Sequence, residues 1–271
     1  MVRKLIKHEL ISYIRSLLPI ELALIGIAIV LRFVQLFEND STGYDILFGS
    51  SVFVFILAIV VCLVLTFIVA IQRYYKNLFK SEGYLTFTLP VTHHEHILAK
   101  LITAVLVTLV TFVNVIISVC IATAGEFCAE LFKAIFFIMG EISEKAGSVH
   151  FAFYMIELVI LFLIVLFTEY LLFYACITLG QTFKKNRVVA AVGIYFAYYY
   201  ITQILATIMI MILTTIEFTG SFMDAIENFI MANARGVLHG IFVFGIIITA
   251  VMGFVYYLIC HKVIGKKLNI E

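Results

Sequence analysis

Six apolar runs separated by polar breaks dominate the chain: Leu17–Phe37, Ile46–Ile71, Leu101–Ala124, Phe153–Phe183, Val188–Ile212 and Leu238–Cys260. Each meets the roughly 20 mostly apolar residues that a helix needs to cross a hydrocarbon core. The pattern predicts six transmembrane helices. None of the intervening pieces is long enough for a core of its own, so residues 1–271 are predicted to form a single all-α integral membrane domain.

The polar breaks carry their own periodicity. Val2, Ile6, Leu10, Tyr13 and Leu17 recur at helical spacing, with Lys4, His8, Ser12 and Arg15 on the opposite face. This predicts an amphipathic interfacial helix over residues 1–16, basic side toward headgroups or a partner, apolar side in the membrane surface. In the 125–152 break, Phe127, Leu131, Ile135, Ile138 and Ile142 repeat the pattern against Glu126, Glu130, Lys133 and Glu141, predicting a second interfacial helix. In the 213–237 break, Phe222, Ile226, Phe229 and Ile230 form a stripe within Phe218–Gly236 that either dips into the membrane or lies on it.

Composition agrees with the pattern: 64% of residues are hydrophobic and 13% charged, against roughly 45–50% and 25% in soluble domains. A net charge of +1 says little, but its placement says more. Fourteen Lys and Arg residues fall on one side of the spans, among them Arg73, Lys76, Lys80, Lys100, Lys184, Lys185 and Arg187. The other side carries only Lys133, Lys145 and Arg235. By the positive-inside rule, both termini and the 72–100 connection face the cytoplasm. The first span is longer than a signal-peptide apolar region and carries Glu21 and Arg32, so it is expected to stay attached. The five cysteines show no paired spacing for a disulfide or zinc framework and are read as small apolar side chains in or beside the spans.

The 72–100 connection holds "KSEGYLTFTLPVTHHEHILAKL". Tyr84, Thr86 and Thr88 alternate with Leu85, Phe87 and Leu89, a period of two that favours an extended segment. Gly83 permits the turn into it, and Pro90 ends it. Thr92 and Glu95 then make the T-x-x-E capping box that starts a helix leading into the third span. His93 and His96 share a helical face, which suggests a metal site or a pH switch; the alternative, favoured because no Asp or Cys completes a tetrahedral set, is an ordinary polar docking surface.

Polar residues inside the spans are the other candidates. Glu169 lies near the middle of the fourth apolar run, where an unpaired carboxylate is costly and marks either a functional site or a protonated, hydrogen-bonded packing group. Glu21, Arg32 and Glu157 are read as span-end residues that reach the interface. Thr108, Thr111, Asn114 and Ser118 step along one face of span three, and Tyr195, Tyr199, Thr202 and Gln203 along one face of span five. Such stripes glue helices together, with a path for an amphipathic cargo as the alternative reading of Asn114, Glu169, Tyr199 and Gln203.

No G-x-x-x-x-G-K-[ST] phosphate loop, H-E-x-x-H or G-x-S-x-G occurs, so the chain is not expected to be an enzyme, to bind a cofactor or to hydrolyse ATP itself. Nor do matched Gly/Pro-broken spans point to an inverted-repeat carrier.

The phrases "EGYLTFTLPVT", "LGQTFKKNR" at Leu179–Arg187 and the ending "KKLNIE" resemble those of bacterial ABC transporter permeases of the ABC-2 type, particularly from Firmicutes. The resemblance runs over the whole chain. It implies a permease subunit in the bacterial cell membrane, working as a homo- or heterodimer with a separate ATPase that binds ATP and Mg. It further implies that the 72–100 elbow seats in a groove of that ATPase, with Glu82, Gly83, Tyr84, Pro90, Thr92, His93, His94 and Glu95 in contact and Lys4, His8 and Arg15 in support. Export is the family-level expectation for peptides, drugs or lipids, with no role for nucleic acid. A gradient-driven transporter or channel, and a membrane sensor or assembly protein that moves nothing, are the alternatives.

Overall fold

The computed structural model describes residues 2–37, 41–79, 92–146, 148–183, 185–217 and 233–267, all of them helical or in short turns. Seven helices follow in chain order among these residues: α1 (Val2–Gln35), α2 (Thr42–Phe79), α3 (His93–Ala122), α4 (Glu126–Ala146), α5 (Ser148–Gly180), α6 (Arg187–Glu217) and α7 (Ala234–Lys267). All but α4 are long and apolar enough to cross a membrane, giving six candidate spans as the sequence pattern predicts. The Tyr84–Leu89 alternation and most of the Phe218–Gly236 stripe lie outside the described residues.

The chain divides into two compact units, residues 1–141 and 142–270. In the first, α1, α2 and α3 pack on one another. Their shared core holds Leu24, Ala28, Leu31, Phe55, Cys62 and Ala122, flanked by Ile27, Val52 and Val115. In the second, α5 packs against both α6 and α7. Small residues set the closeness of these contacts. A Cβ on Gly180 would stand 2.7 Å from the Ala191 Cβ and 2.8 Å from the Arg187 carbonyl oxygen, so the turn from α5 into α6 needs glycine there. Gly253 likewise makes room for the Thr168 hydroxyl, which donates to the Thr249 carbonyl of α7 at 3.2 Å.

The first helix departs from expectation. Residues 2–16 form no separate surface helix; α1 runs unbroken through Pro19 to Gln35. A helix of 34 residues is about 51 Å long at 1.5 Å per residue, well beyond a core of about 30 Å. The N-terminal part packs against its neighbours through Tyr13 and Leu17, both buried, while Lys4, His8 and Arg15 are exposed. The periodicity was a true signal of an amphipathic helix. The surface its apolar stripe meets is protein, at least at Tyr13 and Leu17.

At the other end of the bundle, α3 closes in a tight cap. Ala124 and Gly125 both take positive φ; the Gly125 N–H donates to the Cys120 carbonyl at 2.7 Å and the Ala124 N–H to Ile121 at 3.3 Å. This is the Schellman arrangement, with alanine at the position that usually holds glycine. The α4 helix follows, with Phe127, Leu131 and Ile135 exposed; the side chains of Ile138 and Ile142 lie outside the described residues.

One reading of the cysteines is corrected. Cys62, Cys176 and Cys260 are buried free thiols as expected, but Cys120 is disulfide-bonded. Spacing did not reveal the bridge, because pairing depends on which side chains the fold brings together and no cysteine count records that.

Candidate functional site

The described part of the 72–100 connection forms its two flanks. On the far flank, Thr92 is the N-cap of α3 and the capping box forms as predicted. The Thr92 N–H donates to Glu95 Oε2 at 3.0 Å, and the Glu95 N–H donates to Thr92 Oγ1 at 3.4 Å. His94 is exposed and His96 buried; no group of three His, Cys, Asp or Glu side chains that could hold a metal ion occurs among the described residues. Glu82, Gly83, Tyr84 and Pro90 lie outside the described residues, as does the side chain of His93.

Both flanks are tied to α1 by one carboxylate. Lys100 Nζ of α3 donates to Glu9 Oε1 at 2.6 Å, and Asn77 Nδ2 of α2 donates to the same oxygen at 3.3 Å. Arg73 of α2 stands 3.9 Å from Glu9 Oε2. Its other nitrogen donates to the Ser12 carbonyl at 2.6 Å and to Ser16 Oγ at 3.0 Å, and its guanidinium lies 4.4 Å above the Tyr13 ring. The Lys100 side chain is only 3% exposed. An ammonium buried to this degree requires a partner, and Glu9 supplies it. Lys4, His8 and Arg15 mark the basic face of this helix in the sequence; Glu9 is not among them, and its one signal there is that it is the lone acid of residues 1–16.

A second polar cluster lies deeper in the same bundle, centred on Glu21. Thr111 Oγ donates to Glu21 Oε1 at 2.6 Å. Asn114 Nδ2 donates to Glu21 Oε2 and to the Glu21 carbonyl at 3.2 Å. Behind Thr111 stands the Thr66 hydroxyl of α2, 3.2 Å away. Glu21 is therefore no interface-seeking residue, correcting the span-end reading: α1 carries it in among α2 and α3. Asn114 belongs to this cluster; along the Thr108, Thr111, Asn114 and Ser118 stripe, Thr111 and Ser118 are buried and Thr108 and Asn114 half-buried, and Thr111 and Asn114 bond to α1.

In the second unit, Glu169, Tyr199 and Gln203 are all exposed on their helices. Side-chain contacts between helices there include those of other residues. Tyr256 donates to the Tyr198 hydroxyl at 2.6 Å, Tyr195 stacks on Phe173, and His239 Nδ1 lies 2.9 Å from Glu157 Oε1 under a stacked Tyr154 ring. Glu157 thus joins α5 to α7. Of the four residues read as a possible path, Asn114 lies in the first unit, engaged with Glu21, and Glu169, Tyr199 and Gln203 lie in the second, exposed on their helices.

Compared with protein-family models, curated proteins and solved structures, the chain matches none.

Proposed function

We propose that this chain is the membrane-spanning subunit of an ATP-driven transporter, a permease of the ABC-2 kind that couples to a separate ATPase through its 72–100 connection. The observation that carries this reading is the anchoring of that connection. Its two flanks, α2 at Arg73 and Asn77 and α3 at Lys100, share Glu9 of α1, so a push on either flank reaches three helices at once. A mere link between spans needs no such fixture. The absence of a phosphate loop from the sequence assigns ATP binding to another chain.

Orientation follows the charges, with both termini and the connection cytoplasmic and the protein in a bacterial cell membrane. The disulfide at Cys120, at the opposite end of α3 from Lys100, agrees with this because disulfides persist on the oxidising side. Two permease subunits, identical or paralogous, enclose the path, and ATP-driven closure of the ATPases shifts the spans between inward and outward states. Such a shift requires contacts that differ between the states.

The test is co-purification in mild detergent with the ATPase encoded beside this chain, comparing wild type with Glu82→Ala/Tyr84→Ala. The expected outcome is a stable complex for the wild type that the double variant loses while still inserting in the membrane. A wild-type chain that holds no ATPase would overturn the reading. A gradient-driven carrier is the second reading, and the Glu21 cluster inside the first bundle is what favours it.

A further inference from the structure

The membrane-crossing parts of α1, α2 and α3 contain one formally charged side chain in their interior. Between Arg15 and Arg32 of α1 the only ionisable residue is Glu21; between Asp45 and Arg73 of α2 the only one is Cys62; between Lys100 and Cys120 of α3 there is none. The cations at the rims are engaged elsewhere. Arg32 donates to Gln35 at 3.0 Å, and Arg73 and Lys100 face Glu9. Thr111, which holds Glu21, is eleven residues or about 16 Å along α3 from Lys100, and nine residues or about 14 Å from Cys120. Among the described residues no cationic side chain is bonded to Glu21; a carboxylate so placed at this depth is costly, and intramembrane ionisable groups of this kind mark ion sites.

The hydroxyls around Glu21 have two alternative acceptors each. Thr111 Oγ lies 2.6 Å from Glu21 Oε1 and 3.2 Å from the Val107 carbonyl. Thr66 Oγ lies 3.2 Å from Thr111 Oγ and 2.9 Å from the Cys62 carbonyl. A hydroxyl has one hydrogen and two lone pairs, so each can turn to either acceptor, and two extreme arrangements follow. In one, Thr66 donates to Thr111 and Thr111 to Glu21, and the carboxylate is served by hydrogen bonds alone. In the other, both hydrogens turn to the carbonyls of their own helices, and the hydroxyl lone pairs face the carboxylate. That second arrangement sets negative ends against negative ends unless a cation lies among them.

We propose that Glu21, Thr111 and Thr66, with the Asn114 amide and the Glu21 carbonyl beside them, form a membrane-embedded binding site for one small alkali cation. The proposed ligands are oxygens, the carboxylate, two hydroxyls, the Glu21 carbonyl and the Asn114 amide oxygen once its side chain has rotated, with the Cys62 thiol hydrogen-bonded to Glu21 beside them. Hard oxygen donors suit a hard ion, and one carboxylate balances a single positive charge. Binding of the ion flips the two hydroxyls and draws α2 and α3 onto α1, because each helix contributes a ligand.

The full-length protein, purified in detergent, is unfolded thermally in sodium, potassium or N-methylglucamine chloride at fixed ionic strength and at two pH values. A ligand that binds only the folded state raises the midpoint with its concentration. The expected result is a midpoint that rises with sodium or potassium over N-methylglucamine in the wild type and is flat in Glu21→Gln. Thr111→Val, which removes one ligand and keeps the volume, should weaken the apparent ion affinity by about tenfold or more, and serves as the second variant if Glu21→Gln does not fold. Equal responses of wild type and Thr111→Val to the alkali ions would overturn the site. So would a wild-type midpoint that follows pH alone, since the neutralising species would then be a proton. None of these outcomes depends on an ATPase, so the site and the proposed transport function stand or fall separately.

Discussion

At the scale of single residues, Glu9 shows how one side chain organises three helices. It is the acid that Lys100 meets in the interior, and Arg73 has other acceptors in Ser12 and Ser16. Removing the Glu9 charge alone takes away the carboxylate that stands 2.6 Å from a buried ammonium, a change that typically costs several kcal/mol, whereas removing both charges is often near neutral. Glu9→Gln is therefore expected to lower stability by about 3 kcal/mol, and Glu9→Gln/Lys100→Met to recover most of that loss. Thermal unfolding of the solubilised protein measures both; a double variant as unstable as the single one would show that Lys100 is not the group left stranded.

At the scale of elements, helix ends decide more than helix middles. The apolar runs name the spans but do not say where each helix stops. The start of α3 was readable because Thr92 and Glu95 form a local motif whose hydrogen bonds close within four residues. Its other end was not, because Ala124 adopts the left-handed conformation that glycine usually supplies. Alanine there bears a steric cost of about 1–2 kcal/mol, partly offset by the smaller entropy it loses on folding. Ala124→Gly is expected to stabilise the protein by about 0.5 kcal/mol, read as an upward shift in the thermal midpoint. A downward shift would mean that the corner does not require the left-handed turn. The first helix teaches a related point. Periodicity gives an apolar stripe but not its counterpart, and a stripe suited to lipid is equally suited to the neighbouring helices that bury Tyr13 and Leu17.

At the scale of the whole molecule, two three-span units carry distinct polar interiors, one built on Glu9 and Glu21 and the other on the Glu157–His239 and Tyr198–Tyr256 pairs. The proposed orientation places Cys120 on the oxidising face. In intact cells, a membrane-impermeant maleimide is expected to label Cys120 only after reduction with an impermeant phosphine, and to leave Cys62, Cys176 and Cys260 unlabelled because they are buried. Labelling of Cys120 that needs permeabilised cells would reverse the assigned topology.

The sequence by itself determined the membrane character of the protein, the six candidate spans, the capped start of α3 and the polar stripe of Thr108, Thr111, Asn114 and Ser118 along it. These depend on interactions within a few residues or on transfer of a continuous run into an apolar phase, and both are written along the chain. Only the tertiary structure decided that Glu9 joins α1 to Lys100 and Asn77, that Glu21 belongs to an interior cluster, and that Glu169 is exposed on its helix. Each of these depends on groups far apart in the chain, such as Glu9 with Lys100 or Glu21 with Thr111 and Thr66. A carboxylate's role in a membrane is set by what stands opposite it, and packing of separate helices supplies that.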